Sequence, residues 1–163
     1  MLKKNWLHFK LITKHKWIVF KLCSRVGMPW RGLIHDLSKY SPTEFLVGAR
    51  FFQGNRSPNN AEREAKGYSS SWLHHKGRNK HHYEYWIDYS VKDIEGGMAP
   101  APMPVKYILE MIMDRIAASK VYAREDYTRH HPLAYYKTGR EQAPLHKKTK
   151  KTVKFEDTGQ ILT

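Results

Sequence analysis

The chain has 163 residues and 19.3 kDa, the size of one domain, and its 40% hydrophobic content, with five Trp, ten Tyr and six Phe, suffices for a core and excludes disorder throughout. No run approaches the ~20 apolar residues that cross a bilayer, and no small-residue cleavage site follows an apolar N-terminal run, which disfavours membrane spanning and classical secretion. The single cysteine, Cys23, excludes an intramolecular disulfide framework and any cysteine-based zinc module, which leaves His, Asp and Glu as metal ligands and fits a cytoplasmic location.

Lys and Arg number 29 against 15 acids, a net charge of +14. The last 23 residues hold five lysines against three acids, so residues 1–140 keep +12. Such a surface attracts anions over a distance, and the expected partner is an anionic, phosphate-containing substrate, with nucleic acid as a second candidate and no membrane.

Leu2 to Val26 reads as one amphipathic helix, with Trp6, Phe9, Ile12, Phe20 and Cys23 spaced near 3.6 and with His8 and His15 on one face. Gly27-Met28-Pro29 ends it and opens a second helix, expected to carry Leu33, Ile34, His35, Asp36 and Leu37. Ser41-Pro42-Thr43-Glu44 has the form of a capping box and predicts a third helix through about Phe52, with Glu44 as the capping glutamate. Gly54 to Pro58 is a turn before a polar helix that ends near Gly67. Tyr68 to Tyr89, dense in His, Trp and Tyr, predicts two short helices joined at Gly77-Arg78-Asn79. Gly96-Gly97 with Pro100, Pro102 and Pro104 predicts an extended loop into a long helix from Pro104 to about Arg124, with Asp114 near its middle. A helical turn from Leu133 to Tyr136 precedes residues 141–163, expected to form a flexible basic tail outside a domain of residues 1–140. No convincing strand run or internal repeat is present.

The most informative string is His35-Asp36-Leu37-Ser38-Lys39. An adjacent His and Asp on one helix point about 100° apart, so they meet at one ion only where other helices bring ligands to the same place. His15 and Asp114, both on apolar-faced helices, are the candidates to be brought there. This order, a His, then His-Asp-x-x-Lys, then an Asp, resembles the HD-domain superfamily of metal-dependent phosphohydrolases over roughly residues 8–120. The resemblance implies an all-α, single-domain helical bundle in which His15, His35, Asp36 and Asp114 hold a divalent metal. It also implies Asp36 and Lys39 as catalytic residues, Lys39 lying near a substrate phosphate. Members with more than one ion add histidines between the doublet and the last Asp, and His75 and His82, or their neighbours His74 and His81, occupy that interval. The spacing from His15 to His35 is short for the superfamily, which leaves His8 as an alternative first ligand. The string from His35 to Phe45 also resembles an uncharacterised family of small bacterial and phage proteins.

Imidazole and carboxylate ligands suit Mn²⁺, Fe²⁺, Co²⁺, Ni²⁺ or Zn²⁺, in one or two positions. Such an ion lowers the pKa of bound water from 15.7 toward ~7, making hydroxide available to attack phosphorus. Lys76, Arg78 and Lys80 lie among the histidines and, with Lys39, are candidates to bind the phosphate. The expected function is therefore hydrolysis of a nucleotide or short-oligonucleotide phosphoester. Two readings compete: a non-catalytic nucleic-acid-binding protein, in which Arg56, Arg63, Lys66, Lys76, Arg78 and Lys80 grip phosphates while Trp72, Tyr83 and Trp86 stack on bases, and a di-iron oxygenase of HD type.

Overall fold

In the computed structural model, which describes residues 2–92, 94–134 and 143–156, the first helix runs from Leu2 to Arg25 (α1). Its buried face is His8, Ile12, His15, Val19, Leu22 and Cys23, a helical stripe in which two histidines replace apolar residues. Trp6 and Phe9, expected on that face, are exposed instead. Gly27 closes α1 at φ +75°, a conformation that favours glycine, and Pro29 opens α2 (Pro29–Ile34). Gly32 sits where α2 crosses α1. A Cβ there would lie 2.7 Å from the Phe20 Cα and 2.9 Å from the Cys23 Cβ, so the crossing depends on its absence.

The second helix stops one residue before the His-Asp doublet, contrary to the sequence expectation. His35 is extended (φ −53°, ψ 129°), Asp36 is left-handed (φ 53°, ψ 29°), and a 3₁₀ turn follows at Leu37–Tyr40. An aspartate tolerates this region better than most residues, yet such a conformation persists only where surrounding contacts demand it.

Helix α3 (Pro42–Arg50) begins where the serine-proline signal placed it, but the capping box does not form. Ser41 makes no side-chain cap, and Glu44 turns into the protein. Helix α4 (Pro58–Lys66) ends at Gly67 (φ +80°), and α5 (Ser70–Lys76) begins with Ser69 Oγ accepting from Trp72 N. The second of the two expected short helices is a 3₁₀ turn, Tyr83–Trp86. The proline-rich loop contains an antiparallel hairpin of β1 (Ile87–Tyr89) and β2 (Met98–Pro100), paired Ile87 with Pro100 and Tyr89 with Met98. Three residues are too few for alternation to reveal.

Helix α6 (Val105–Ala123) supplies the opposite wall of the core. Its Met113, Ile116 and Ala117 pack on Val19, Leu22 and Cys23 of α1. Burial pushes the Cys23 thiol up to about 11, which suits a core residue and not a nucleophile. A second apolar cluster joins Met103, Ile108 and Met111 to Val153 of α7 (Lys147–Glu156). The expectation of a flexible tail is therefore corrected in part: Ala143, Leu145, Thr149 and Val153 are buried, and Thr149 Oγ1 accepts from Met103 N at 3.0 Å. The buried pair at 149 and 153 is too short a pattern to signal an amphipathic helix. Residues 130–134 are helical, while Tyr135 and Tyr136 of the expected turn, and residues 157–163 of the tail, lie outside the described residues. The result is an all-α domain with one small hairpin, and no helix among the described residues is long and apolar enough to cross a membrane.

The elbow between α4 and α5 is held by one charge. Glu62 is fully buried and accepts from Ser69 Oγ and Ser70 Oγ at 2.7 Å each, and from Lys66 Nζ at 3.1 Å. Burial raises its pKa, but these donors outweigh it and hold the carboxyl at about 2, against an ordinary 4.5. A depressed carboxyl contributes stability that is complete above its unfolded value and fades as pH falls through its folded one. Glu62→Ala should therefore cost about 3 kcal/mol near neutrality. In denaturant melts, the difference from the parent protein should shrink between about pH 4.5 and pH 2.

Candidate metal centre

Five histidines and two aspartates from four parts of the chain meet in the middle of the bundle. α1 contributes His15, the break after α2 contributes His35 and Asp36, α5 and the loop behind it contribute His75, His81 and His82, and α6 contributes Asp114. Among the described residues, two sets of four each bring one donor atom per residue within 4.8 Å of all the others, His15, His35, Asp36 and Asp114, and Asp36, His75, His81 and His82, while a smaller set of three joins His35, His81 and Glu110. Asp36 belongs to both sets of four. Its Oδ2 lies 3.2 Å from His35 Nε2, and its Oδ1 lies 3.2 Å from His75 Nε2 and 3.3 Å from His81 Nε2.

These contacts are close without being hydrogen bonds. The Nε2 atoms of His15, His35, His75, His81 and His82 and both Asp36 oxygens are buried with no aligned partner. Buried polar atoms are nearly always satisfied, and seven unsatisfied ones in one place require an explanation. They are grouped closely enough for one ion to lie within reach of several at once. Spacing supports this: the pairs on Asp36, together with His15 Nε2 to Asp114 Oδ1 (2.9 Å) and His35 Nε2 to Asp114 Oδ1 (3.4 Å), span 2.9–3.4 Å. Ligands about 2.1 Å from a common ion are separated by about 3.0 Å in an octahedron and about 3.4 Å in a tetrahedron. The donor set thus fits a metal ion in type and spacing, and the buried His, Asp and Glu groups can hold one.

The other ring nitrogens explain why the Nε2 atoms point inward. His75 Nδ1 donates to Glu44 Oε2 at 2.7 Å, and His35 Nδ1 donates to Glu110 Oε1 at 3.1 Å, an oxygen that His81 Nδ1 also approaches at 3.4 Å. Glu110 is in turn gripped by Arg31, whose Nε donates at 2.6 Å and whose guanidinium stacks on Tyr107. Carboxylates in this position fix the tautomer and direction of a ligating imidazole. Neither glutamate was assigned this role from sequence. Glu110 stands one turn before Asp114 and shares its face, a signal that was present; Glu44 was masked by its position three residues after a serine.

The charges follow from this packing. Burial raises the pKa values of Asp36 and Asp114, but neighbouring His35, with Lys39 for Asp36 and His15 for Asp114, brings both well below the carboxylate range. Burial lowers His35 and His75, but Asp36 and the glutamates outweigh it and raise both. Burial dominates at His15 and His82, which are lowered, His82 further by the charges of His81 and His75.

The remaining candidates divide. His8, the alternative first ligand, is buried between Phe45 and Phe52, and Gly48 leaves the space that its ring fills. Burial, then Lys39, lowers its pKa to about 4. His74 belongs to neither ligand set and donates to Glu44 Oε1 at 2.7 Å. Lys39 Nζ lies 2.6 Å from Asp36 Oδ2, at the edge of both sets. Arg78 and Lys80 line a cleft of about 160 Å³ with Arg31, Asn79, His35 and His81; Lys76 is not among its walls.

Glu110→Gln removes the carboxylate shared by His35 and His81 while keeping its shape. Titration against a chromophoric chelator should show metal affinity about 10–100-fold weaker. His8→Ala should leave the metal content of the purified protein unchanged, whereas His15→Ala lowers it.

No curated protein and no solved structure matches the chain. A family model does, over residues 4–156, and the chain accordingly belongs to the family of unknown function DUF5662.

Proposed function

We propose that the protein is a divalent-metal-dependent phosphohydrolase of HD type, acting on a nucleotide or short-oligonucleotide phosphoester. The observation that carries this reading is the pair of ligand sets joined at Asp36, with cationic side chains beside them. In it, His15, His35, Asp36 and Asp114 hold one ion, and Asp36, His75, His81 and His82 a second. The ions would supply Lewis acidity and a water acidic enough to attack phosphorus at neutral pH, Mn²⁺, Fe²⁺, Co²⁺, Ni²⁺ and Zn²⁺ all suiting the ligands.

The chain's own residues do the rest. Lys39, 2.6 Å from Asp36, would stand beside an incoming phosphate, and the carboxylates keep it protonated: desolvation lowers its pKa, but Asp36 and Asp114 raise it further. Arg78 and Lys80 line the cleft that ends at His35 and His81, and Arg31 there neutralises the Glu110 carboxylate that also lines it, so the net charge an incoming anion meets is positive. Glu44 and Glu110 keep the imidazoles directed inward.

The competing nucleic-acid reading loses several of its contacts. Arg56 is paired twice with Glu64 at 2.6 Å, Lys66 with Glu62, and Arg63 lies over Trp72, which itself packs against His75 and His82.

Elemental analysis of protein purified without added metal should find transition metal, lost in Asp36→Ala, which removes a ligand from both sets, and lowered in Asp114→Ala, which removes one from a single set. A panel of nucleotides and short oligonucleotides should release phosphate or a nucleoside monophosphate only with divalent metal, and more slowly at high salt. Asp36→Ala should abolish this release, and Lys39→Ala should reduce kcat/KM by about 10–100-fold. Metal-free protein with no cleavage under any ion refutes the reading, and oxygen consumption specific to iron replaces it with the oxygenase.

Acid should weaken metal binding, because His35 and His75, raised above the ordinary 6.5 without an ion, must lose protons to ligate. Calorimetry near pH 7 in buffers of different ionisation enthalpy should record proton release on metal addition.

A further inference from the structure

Residues 2–35 contain eight Lys and Arg and no Asp or Glu. Most lie on α1, whose outward side also carries bulky apolar groups. Leu2, Trp6, Phe9, Thr13 and Trp17 recur at helical spacing along one edge, and Trp6 and Trp17 are each 55% exposed. The strip continues onto the next element. Phe9 meets the Tyr40 ring at 6.0 Å, Thr13 Oγ1 lies 3.1 Å from Tyr40 Oη, and Lys16 donates to the carbonyls of Leu33 and His35. On α2 and the turn that follows, Trp30 is 68% exposed, and Leu33 and Leu37 are both about half exposed. Exposed Lys10, Lys14 and Lys21 border the strip, Lys10 and Lys21 standing 5.3 and 5.4 Å from the ring centres of Trp6 and Trp17.

Contiguous apolar surface of this kind marks an interaction site, and its chemistry selects the partner. A second copy of the chain is a poor one: two such faces in contact would oppose Lys10, Lys14 and Lys21 to the same lysines, with no acid in residues 2–35 to pair them. Single-stranded nucleic acid would use open aromatic faces, but Trp6 already stacks on Phe9 (5.7 Å, 14°) and Trp17 on Phe20 (5.3 Å, 22°). Leu2, Leu33 and Leu37 offer nothing to a base. Trp, Phe and Leu in a row with lysines alongside match the boundary between lipid headgroups and acyl chains, where the apolar groups enter and the ammonium groups remain among anionic headgroups.

We propose that α1 and α2 form a docking face for an anionic lipid surface. This surface is independent of the phosphohydrolase reading, since it uses the side of α1 opposite His15. It nevertheless borders the cleft, because Arg31 and Ile34 of α2 line it. Docking would bring the cleft's rim to the membrane.

The test is sedimentation of the full chain with vesicles of phosphatidylcholine alone, or with about 30% phosphatidylglycerol added, where surface charge attracts basic segments. Binding should be at least about tenfold stronger to the anionic vesicles, fall with salt, and shift tryptophan emission to shorter wavelength. Trp6→Ser with Phe9→Ser, and separately Lys10→Glu with Lys14→Glu, should each weaken it about tenfold or more. Both variants change exposed residues, so the far-ultraviolet dichroism and any metal content of the parent should persist. Equal binding to both vesicle types overturns the proposal. So does tighter binding to single-stranded oligonucleotide that the same variants abolish, or a concentration-dependent dimer that Trp6→Ser with Phe9→Ser disperses.

Discussion

The carboxylate of Asp36 is the charge on which the rest of the structure depends. It is buried, its oxygens lie within 3.3 Å of His35, His75, His81 and Lys39, and neither oxygen receives an aligned hydrogen bond. Taking a carboxylate out of water costs several kcal/mol unless opposite charge compensates it. The backbone yields to that demand: α2 stops at Ile34, and Asp36 adopts a left-handed conformation. In a continuous helix the His35 and Asp36 side chains would diverge by about 100°. The break places their donor atoms 3.2 Å apart, and lets one carboxylate face two groups of imidazoles at once.

Around this centre, two further carboxylates work from outside. Glu44 on α3 and Glu110 on α6 each receive an Nδ1 proton, which leaves the Nε2 atoms of His75 and His35 to face Asp36. Glu110 also ties α2 to α6 through Arg31, so the wall of the cleft and the orientation of His35 rest on the same residue. The polar centre is thereby clamped by three helices rather than by its own loop.

A polar cluster in the middle of a bundle has consequences for the apolar residues. The buried face of α1 gives His8 and His15 places that leucines hold in an ordinary helix, and the hydrophobic core divides into two clusters, one around Val19, Leu22 and Cys23, the other around Met103, Ile108 and Met111. Large apolar side chains on the flank of α1, Trp6 and Trp17 above all, are left in solvent beside the lysines. Amphipathic spacing by itself does not distinguish a residue turned toward the core from one turned toward another surface.

The sequence alone determined the helical class, the limits of α1 and α6, the start of α3, and the residue types able to bind metal. These follow from local rules: apolar spacing near 3.6, proline at a first turn, glycine at a last, and one cysteine. His15, His35, Asp36, His75, His82 and Asp114 were legible as candidates for another reason, the resemblance carried by the order His, His-Asp-x-x-Lys, Asp. Tertiary structure alone decided that His15 and not His8 reaches the cluster, that His81 joins it while His74 turns to Glu44, and that Lys76 lies off the cleft. It alone turned Glu44 from a cap into a partner of two histidines, and gave Glu110 its role. Each of those choices depends on which side chains meet across tens of residues of intervening chain, from 21 between His15 and Asp36 to 75 between His35 and Glu110. Local propensity carries no information about that distance; only the packing of α3, α5 and α6 against the break at Asp36 supplies it.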